Sequence, residues 1–216
     1  TFGYNPDKTI LKDVSVFAHP GQKIALVGST GAGKTTITNL ITRFYNIDEG
    51  KITIDGVDIK DISLECLREI AMVLQDTHLF TGTILENIRY GRLSATDEEV
   101  RQAAKTSCAD MFIKNMPEGY DTMLKGDGSN LSQGQRQLLN IARAALSKAP
   151  ILVLDEATAN IDKKYNELLH YNILKDFPDK TLIVITHKTE NLAGMDRIYE
   201  IQNHAIKECD YAELEK

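Results

Sequence analysis

Residues 28–36 read GSTGAGKTT, directly after the apolar run QKIALVG (22–28) and directly before the helical pattern KTTITNLITRFY (34–45). Gly28, Gly33, Lys34 and Thr35 fall on the spacing G-x-x-x-x-G-K-[ST], and the strand before and helix after supply the context that the spacing requires. Glycine lets backbone N–H groups approach phosphate oxygens closely, so Gly28, Ser29, Thr30, Gly31, Ala32, Gly33 and Thr36 form a candidate phosphate cradle. Lys34 offers a point charge to β and γ phosphates, and the Thr35 hydroxyl suits Mg²⁺. The stretch predicts a loop that holds a nucleoside triphosphate.

A second stretch, LSQGQ at 131–135, heads the helical segment QRQLLNIARAALSKA (135–149). Small side chains and free N–H groups at a helix start also suit an anion. One chain thus carries two candidate phosphate grips.

The run ILVLDE (151–156) ends in two carboxylates. A charge at the end of a buried strand calls for compensation, and Mg²⁺ shared with Thr35 provides it for Asp155. Glu156 is then placed to take a proton from an attacking water. His187, after TLIVIT, stands at the edge of the sheet where ligands of α/β folds sit. Gln75, at the end of AMVLQ, suits capping a turn as well as orienting water.

Continuous Val/Ile/Leu runs at 22–28, 71–75, 150–156 and 181–187, with KITID and DRIYEI, predict strands. Helical periodicity predicts helices over 34–45, 97–107, the segment after Ser132, and 164–177. The fold class expected is therefore α/β, a mainly parallel sheet covered on both faces by helices. The middle, roughly 60–125, is mostly helical by pattern, and EGYDTMLKGDGSN (118–130) reads as a loop returning to the core. The opening TFGY looks like the end of a strand begun elsewhere, an excerpt from a longer polypeptide.

With 42% hydrophobic and 26% charged residues, the chain is expected to be an ordinary soluble globular protein. Its net charge of −6, with Lys and Arg scattered, argues against a nucleic-acid partner or charge-driven membrane binding. No apolar run approaches the roughly 20 residues that span a bilayer, and no basic-then-apolar leader is visible, so direct membrane insertion is not expected. Cys66, Cys108 and Cys209 lack C-x-x-C spacing, which predicts reduced, cytosolic thiols without zinc or disulfides.

Tyr4, GSTGAGKT, Gln75 in VLQDTHLF, LSQGQRQ, ILVLDEAT, Asp162 in ANID and His187 occur in an order that resembles the nucleotide-binding domain of an ABC transporter over essentially the whole chain. QDTHLFTGTILENIRYG and PEGYDTMLKGDG look like bacterial exporters, especially multidrug or lipid-flippase half-transporters. The resemblance implies a P-loop NTPase core with an N-terminal antiparallel β subdomain and an inserted helical subdomain. Within one domain, 1–216, the core would take 1–75 and 126–216, and the helical part about 76–125. It implies that Tyr4 stacks on adenine, that Gln75 touches Mg²⁺ and the lytic water, and that Asp155 holds the magnesium. Glu156 would be the catalytic base, and His187 would contact the γ-phosphate.

The resemblance also implies that two such domains close head to tail around two ATP molecules. Ser132, Gly134 and Gln135 would then grip the γ-phosphate held by a second chain, with Asp162 in the loop that crosses to it. An identical partner is the simpler arrangement, and a heterodimer is the alternative. A transmembrane domain of the same transporter would be the second partner, which puts the domain at the cytoplasmic face of a membrane. A non-transport ABC ATPase and a nucleotide-gated regulatory module with little hydrolysis are the rival readings.

Some positions depart from the pattern. Gln133 stands where glycine is common, which matters only if that position needs positive φ. KGDGSN puts Gly126 where an acid is common, with Asp127 beside it. KTE follows His187 where exporters usually have R-L-S. EIQNHAIKECD lacks the usual Asp-Gly hairpin, although Asn203 tolerates the turn.

Overall fold

The computed structural model describes residues 1–5, 7–67, 70–74, 78–187 and 189–214. Its elements begin with β1 (Lys23–Gly28), α1 (Lys34–Ile41), β2 (Thr53–Ile54), β3 (Val57–Asp58), α2 (Leu64–Leu67), β4 (Ala71–Val73) and β5 (Gly82–Thr83). They continue with α3 (Ile84–Arg89), α4 (Asp97–Thr106), α5 (Ala109–Ile113), β6 (Met123–Leu124), α6 (Gln133–Leu146) and β7 (Ile151–Asp155). The chain closes with α7 (Lys163–Asp176), β8 (Thr181–Ile185), β9 (Arg197–Gln202), β10 (Ala205–Cys209) and α8 (Tyr211–Leu214). Backbone contacts divide it into two compact units, Thr1–Ala71 with Pro150–Asp155 and Asp179–Lys216, and Met72–Ala149 with Glu156–Pro178.

The first unit carries the strand order β10-β9-β1-β8-β7. β1 pairs in parallel with β8 and β9, β7 pairs in parallel with β8, and β10 returns antiparallel to β9. The α/β class and the mainly parallel sheet expected from the apolar runs are therefore present. Ile24, Leu26, Leu152 and Ile185 are fully buried, as continuous apolar strands require when both faces are covered. α1 packs against β1 and β7. Antiparallel pieces come from the N-terminal part: Phe2 bridges Leu11, Asn5 bridges Lys8, and β2 pairs with β3.

Several bounds differ from the sequence pattern, each for a local reason. The helix expected to reach residue 45 stops at Ile41, because Arg43 turns to φ 57 and donates Nη1 to the carbonyls of Ile59 (3.0 Å) and Ile62 (2.8 Å). The stretch read as a loop at 118–130 contains β6, which pairs antiparallel with β5. The β9–β10 hairpin turns on Asn203 (φ 49) and His204 (φ 67), so two positive-φ residues stand in for Asp-Gly.

In the second unit, α6 packs against α3, α4 and α5, and α4 against α7. Ile84, Ile88, Ile113, Leu139, Ile141 and Leu169 form its buried apolar interior. Three helix starts carry reciprocal caps: Thr83 with Glu86, Thr96 with Glu99, and Ser132 with Gln135. Each cap satisfies two N–H groups that a helix start leaves open.

Candidate nucleotide site

The loop after β1 holds its shape by close approach as well as by positive φ. Gly28 (φ 150) and Gly33 (φ 105) each face an obstacle: a Cβ on Gly28 would lie 2.5 Å from the carbonyl oxygen of Ile201, and one on Gly33 would lie 2.9 Å from Leu11 Cδ2. At Gly31 (φ 80) there is open space, so only its conformation calls for glycine. Ala32 is half-buried between them, and Ser29, Thr30 and Gly31 form the exposed rim.

Lys34, 5% exposed, donates Nζ to the carbonyls of Gly28 at 2.8 Å and Ser29 at 2.9 Å. Its ammonium therefore sits inside the loop, under the rim that a phosphate would meet. Gly33 precedes α1, so the first turn of that helix presents N–H groups and the positive end of its dipole to the loop. Thr35 is exposed in that turn and Thr36 is buried.

Tyr4 stands beside this turn. Its hydroxyl donates to Thr36 Oγ1 at 3.2 Å, and Asn39 Nδ2 donates to the Tyr4 hydroxyl at 3.4 Å. Its ring meets Phe2 and Tyr45 edge-on, with centroids 5.0 Å away in both cases. Even so, 45% of Tyr4 remains exposed. It packs on α1 and on these two rings, leaving area for a planar ligand.

Asp155 ends β7, is 5% exposed and pairs in register with Ile185. Leu26 of β1 pairs with Ile185 from the other side, and Thr186 donates its N–H to the Leu26 carbonyl. The phosphate loop, Asp155 and the exposed His187 therefore all follow the C-terminal ends of parallel strands. Among the described residues no group of three His, Cys, Asp or Glu gathers as a metal site. Mg²⁺ fits nonetheless: with α1 against β7, the Thr35 hydroxyl and Asp155 carboxylate are hard oxygen donors, and phosphate and water would supply the rest.

Glu156 follows Asp155 but leaves the strand at φ 48. A non-glycine residue there costs about 1–2 kcal/mol, a strain that concentrates at functional positions. The pattern ILVLDE reads Asp155 and Glu156 alike, and only the backbone separates them. Gln75 lies outside the described residues.

In the second unit, Ser132 Oγ accepts the Gln135 N–H at 3.2 Å, and Gln135 Oε1 accepts the Ser132 N–H at 2.9 Å. Ser132 and Gln133 are exposed at the head of α6. Gln133 is the first residue of that helix and does not have positive φ, so its departure from glycine needs no special backbone. Gly134 does need to be glycine: a Cβ there would lie 2.8 Å from the Asn160 carbonyl oxygen. That approach joins the head of α6 to the segment before Asp162. Asp162 itself caps α7, its Oδ1 accepting the Lys164 N–H at 3.0 Å. In the KGDGSN loop, Asp127 Oδ1 accepts the Leu79 N–H at 3.1 Å, and Oδ2 lies 3.3 Å from His78 Nδ1.

Sequence reasoning missed Asn160, Gln137 and Arg143 around this helix. The first acts through its backbone, which no residue pattern marks. The other two read as ordinary polar positions within an amphipathic helix.

The family model for ABC transporters matches residues 11–159. The chain is 48% identical over 204 residues to the ABC transporter ATP-binding protein YfiC of Bacillus subtilis, covering 94% of this chain and 34% of that protein. It is 45% identical over 216 residues to a fatty acid ABC transporter ATP-binding/permease protein of Mycobacterium bovis, covering 99% and 34%. A solved structure of a bacterial Atm1-family ABC exporter with ATP bound superposes with a TM-score of 0.92 at 37% identity, over 99% of this chain and 38% of that one. The chain thus spans about a third of the length of the curated relatives it matches. On the match across more than half its length, the chain belongs to the ABC transporter family, as an ATP-binding domain of the exporter type.

Proposed function

We propose that this domain binds Mg-ATP in the loop 28–36, pairs with a second such domain so that each chain's Ser132, Gly134 and Gln135 engage the other's γ-phosphate, and hydrolyses ATP to power export through a transmembrane domain at the cytoplasmic face of a membrane. The observation that carries the hydrolytic part is Glu156, turned to φ 48 directly after the buried Asp155. The two carboxylates are adjacent in sequence but differ in setting, Asp155 buried and Glu156 half-buried, which suits one for a cation and the other for a proton.

In this reading Tyr4 stacks on the base. Lys34 exchanges its two loop carbonyls for phosphate oxygens, a trade of neutral acceptors for charged ones that favours the bound state. Thr35, Asp155 and Gln75 would hold Mg²⁺, which would neutralise charge on the β and γ phosphates. Glu156 accepts the proton of the attacking water, while His187 and Lys34 steady the charge of the transferring phosphoryl group. A γ-phosphate held by both chains favours the closed pair over the open one, and its loss releases them. The ATP-binding/permease name of the mycobacterial relative and the Atm1-family exporter neighbour support the transmembrane partner.

The test is steady-state phosphate release with Mg-ATP. Wild type should turn over, and Glu156→Gln should bind ATP normally while losing at least about a hundredfold in kcat, the lower range for removing a general base. Wild-type-like turnover by that variant would take Glu156 out of the role.

A further inference from the structure

Although exposed, the Tyr4 ring is held at four points. Its hydroxyl donates to the buried Thr36 Oγ1 and accepts from Asn39 Nδ2. Thr36 and Asn39 stand three residues apart on α1, so one helix face carries both anchors. The buried Phe2 and the exposed Tyr45 meet the ring at interplanar angles of 83° and 84°, an edge-to-face arrangement that aromatic pairs favour. With the hydroxyl proton already given to Thr36, what Tyr4 offers a planar ligand is its ring face.

Tyr45 reaches Tyr4 because α1 closes on a left-handed turn. The Phe44 N–H donates to the Asn39 carbonyl at 2.9 Å and the Arg43 N–H to the Leu40 carbonyl at 3.1 Å, with Arg43 at φ 57, which is a Schellman ending. The Arg43 guanidinium, bonded to the Ile59 and Ile62 carbonyls, fixes the course of the chain that leaves the helix. Beyond Tyr45, Asp48 Oδ2 accepts the Gly3 N–H at 2.9 Å, and the Thr1 carbonyl accepts the N–H groups of Asp48 and Glu49. The segment that carries Tyr4 is thereby laced to the segment that carries Tyr45. Among the described residues the Tyr45 hydroxyl has no hydrogen bond, so the ring is what Tyr45 contributes. A half-exposed ring without such holds would have to be ordered by its ligand, at a loss of about twofold to tenfold in affinity.

We propose that Tyr45 and Asn39 are positioning residues for the base: they hold the Tyr4 ring in its stacking pose before a nucleotide arrives, so that affinity for the base, and not for the phosphates, depends on them. This rests on the reading of Tyr4 as the base platform given above.

The experiment measures Kd for Mg-ATP and, by competition, for Mg-tripolyphosphate, which carries the phosphates without the base, together with KM and kcat for phosphate release. The variants are Tyr45→Leu, Tyr45→Phe, Asn39→Ala, Tyr4→Ala and the double Tyr4→Ala/Tyr45→Leu. Tyr45→Leu should weaken ATP at least about threefold and Asn39→Ala at least about twofold, with KM rising in step. Their kcat and their Kd for tripolyphosphate should stay at about the wild-type values. Tyr45→Phe should match wild type, because it keeps the ring. Tyr4→Ala should weaken ATP at least about fivefold, the low end for loss of a base–aromatic stack. The double variant should bind ATP no more weakly than Tyr4→Ala alone. A merely structural role for Tyr45 would weaken tripolyphosphate as much as ATP, and that outcome would overturn the proposal. So would smaller losses for ATP than those expected, or multiplicative losses in the double variant. If Tyr45→Leu does not fold, Asn39→Ala decides by the same measurements. Should Tyr4→Ala bind ATP like wild type, the reading of Tyr4 as base platform falls first and this inference with it; a loss confined to Tyr4→Ala removes this inference alone.

Discussion

A Cβ on Gly134 would meet the carbonyl oxygen of Asn160 at 2.8 Å, so the head of α6 and the backbone before Asp162 fit together only through a glycine. Alanine at 134 should push these segments apart at a cost of about 1–3 kcal/mol, the usual range for overpacking. Gln133→Gly, one residue away, relieves no contact and only lowers helix propensity, by about 0.5–1 kcal/mol. Thermal melts and ATP-dependent association measured side by side should show Gly134→Ala impaired in both, and Gln133→Gly near wild type in the second.

Lys34 fixes the loop through its bonds to Gly28 and Ser29 and, in the proposed function, also meets the phosphates. Lys34→Met should lose both functions, leaving two half-buried carbonyls short of a donor. ATP affinity by calorimetry is expected to fall at least tenfold, with a lower melting temperature without nucleotide. An unchanged affinity would mean that the backbone cradle alone suffices.

Acid should act on the start of α4. The bond from Arg92, at 2.6 Å, together with the Thr96 N–H, holds the Glu99 carboxyl at about 2 instead of 4.5. A carboxyl lowered by folding stabilises the folded state above its unfolded pKa and loses that contribution as pH falls through the folded value. Glu99→Gln should therefore be less stable than wild type at pH 7, with the gap narrowing between pH 4.5 and 2. Melting temperatures of the two proteins across that window measure it, and a constant gap would refute the assignment.

Much of this architecture is legible in local chemistry. The cradle at 28–36 is a short contiguous pattern, the strands around it are continuous apolar runs, and Ser132 with Gln135 has the spacing of a reciprocal cap. What stayed hidden depends on parts of the chain remote in sequence. Gly28 is constrained by Ile201, Gly33 by Leu11 and Gly134 by Asn160. Arg143 reads as one more basic residue on an amphipathic helix until its fork is seen around Asn87 and His78. The turn of Glu156 to φ 48 cannot be read from ILVLDE, because aspartate and glutamate at a strand end carry the same pattern.

Two candidate phosphate grips in one chain have a simple explanation if each closes on a different nucleotide. The measurement that tests this most directly is sedimentation of Glu156→Gln over a range of concentrations, with and without Mg-ATP, beside the same variant carrying Ser132→Arg. The account predicts a dimer that forms only with Mg-ATP and disappears when Ser132 is replaced. A monomer at all concentrations, or a dimer indifferent to Ser132→Arg, would contradict closure of LSQGQ on the nucleotide of an identical chain.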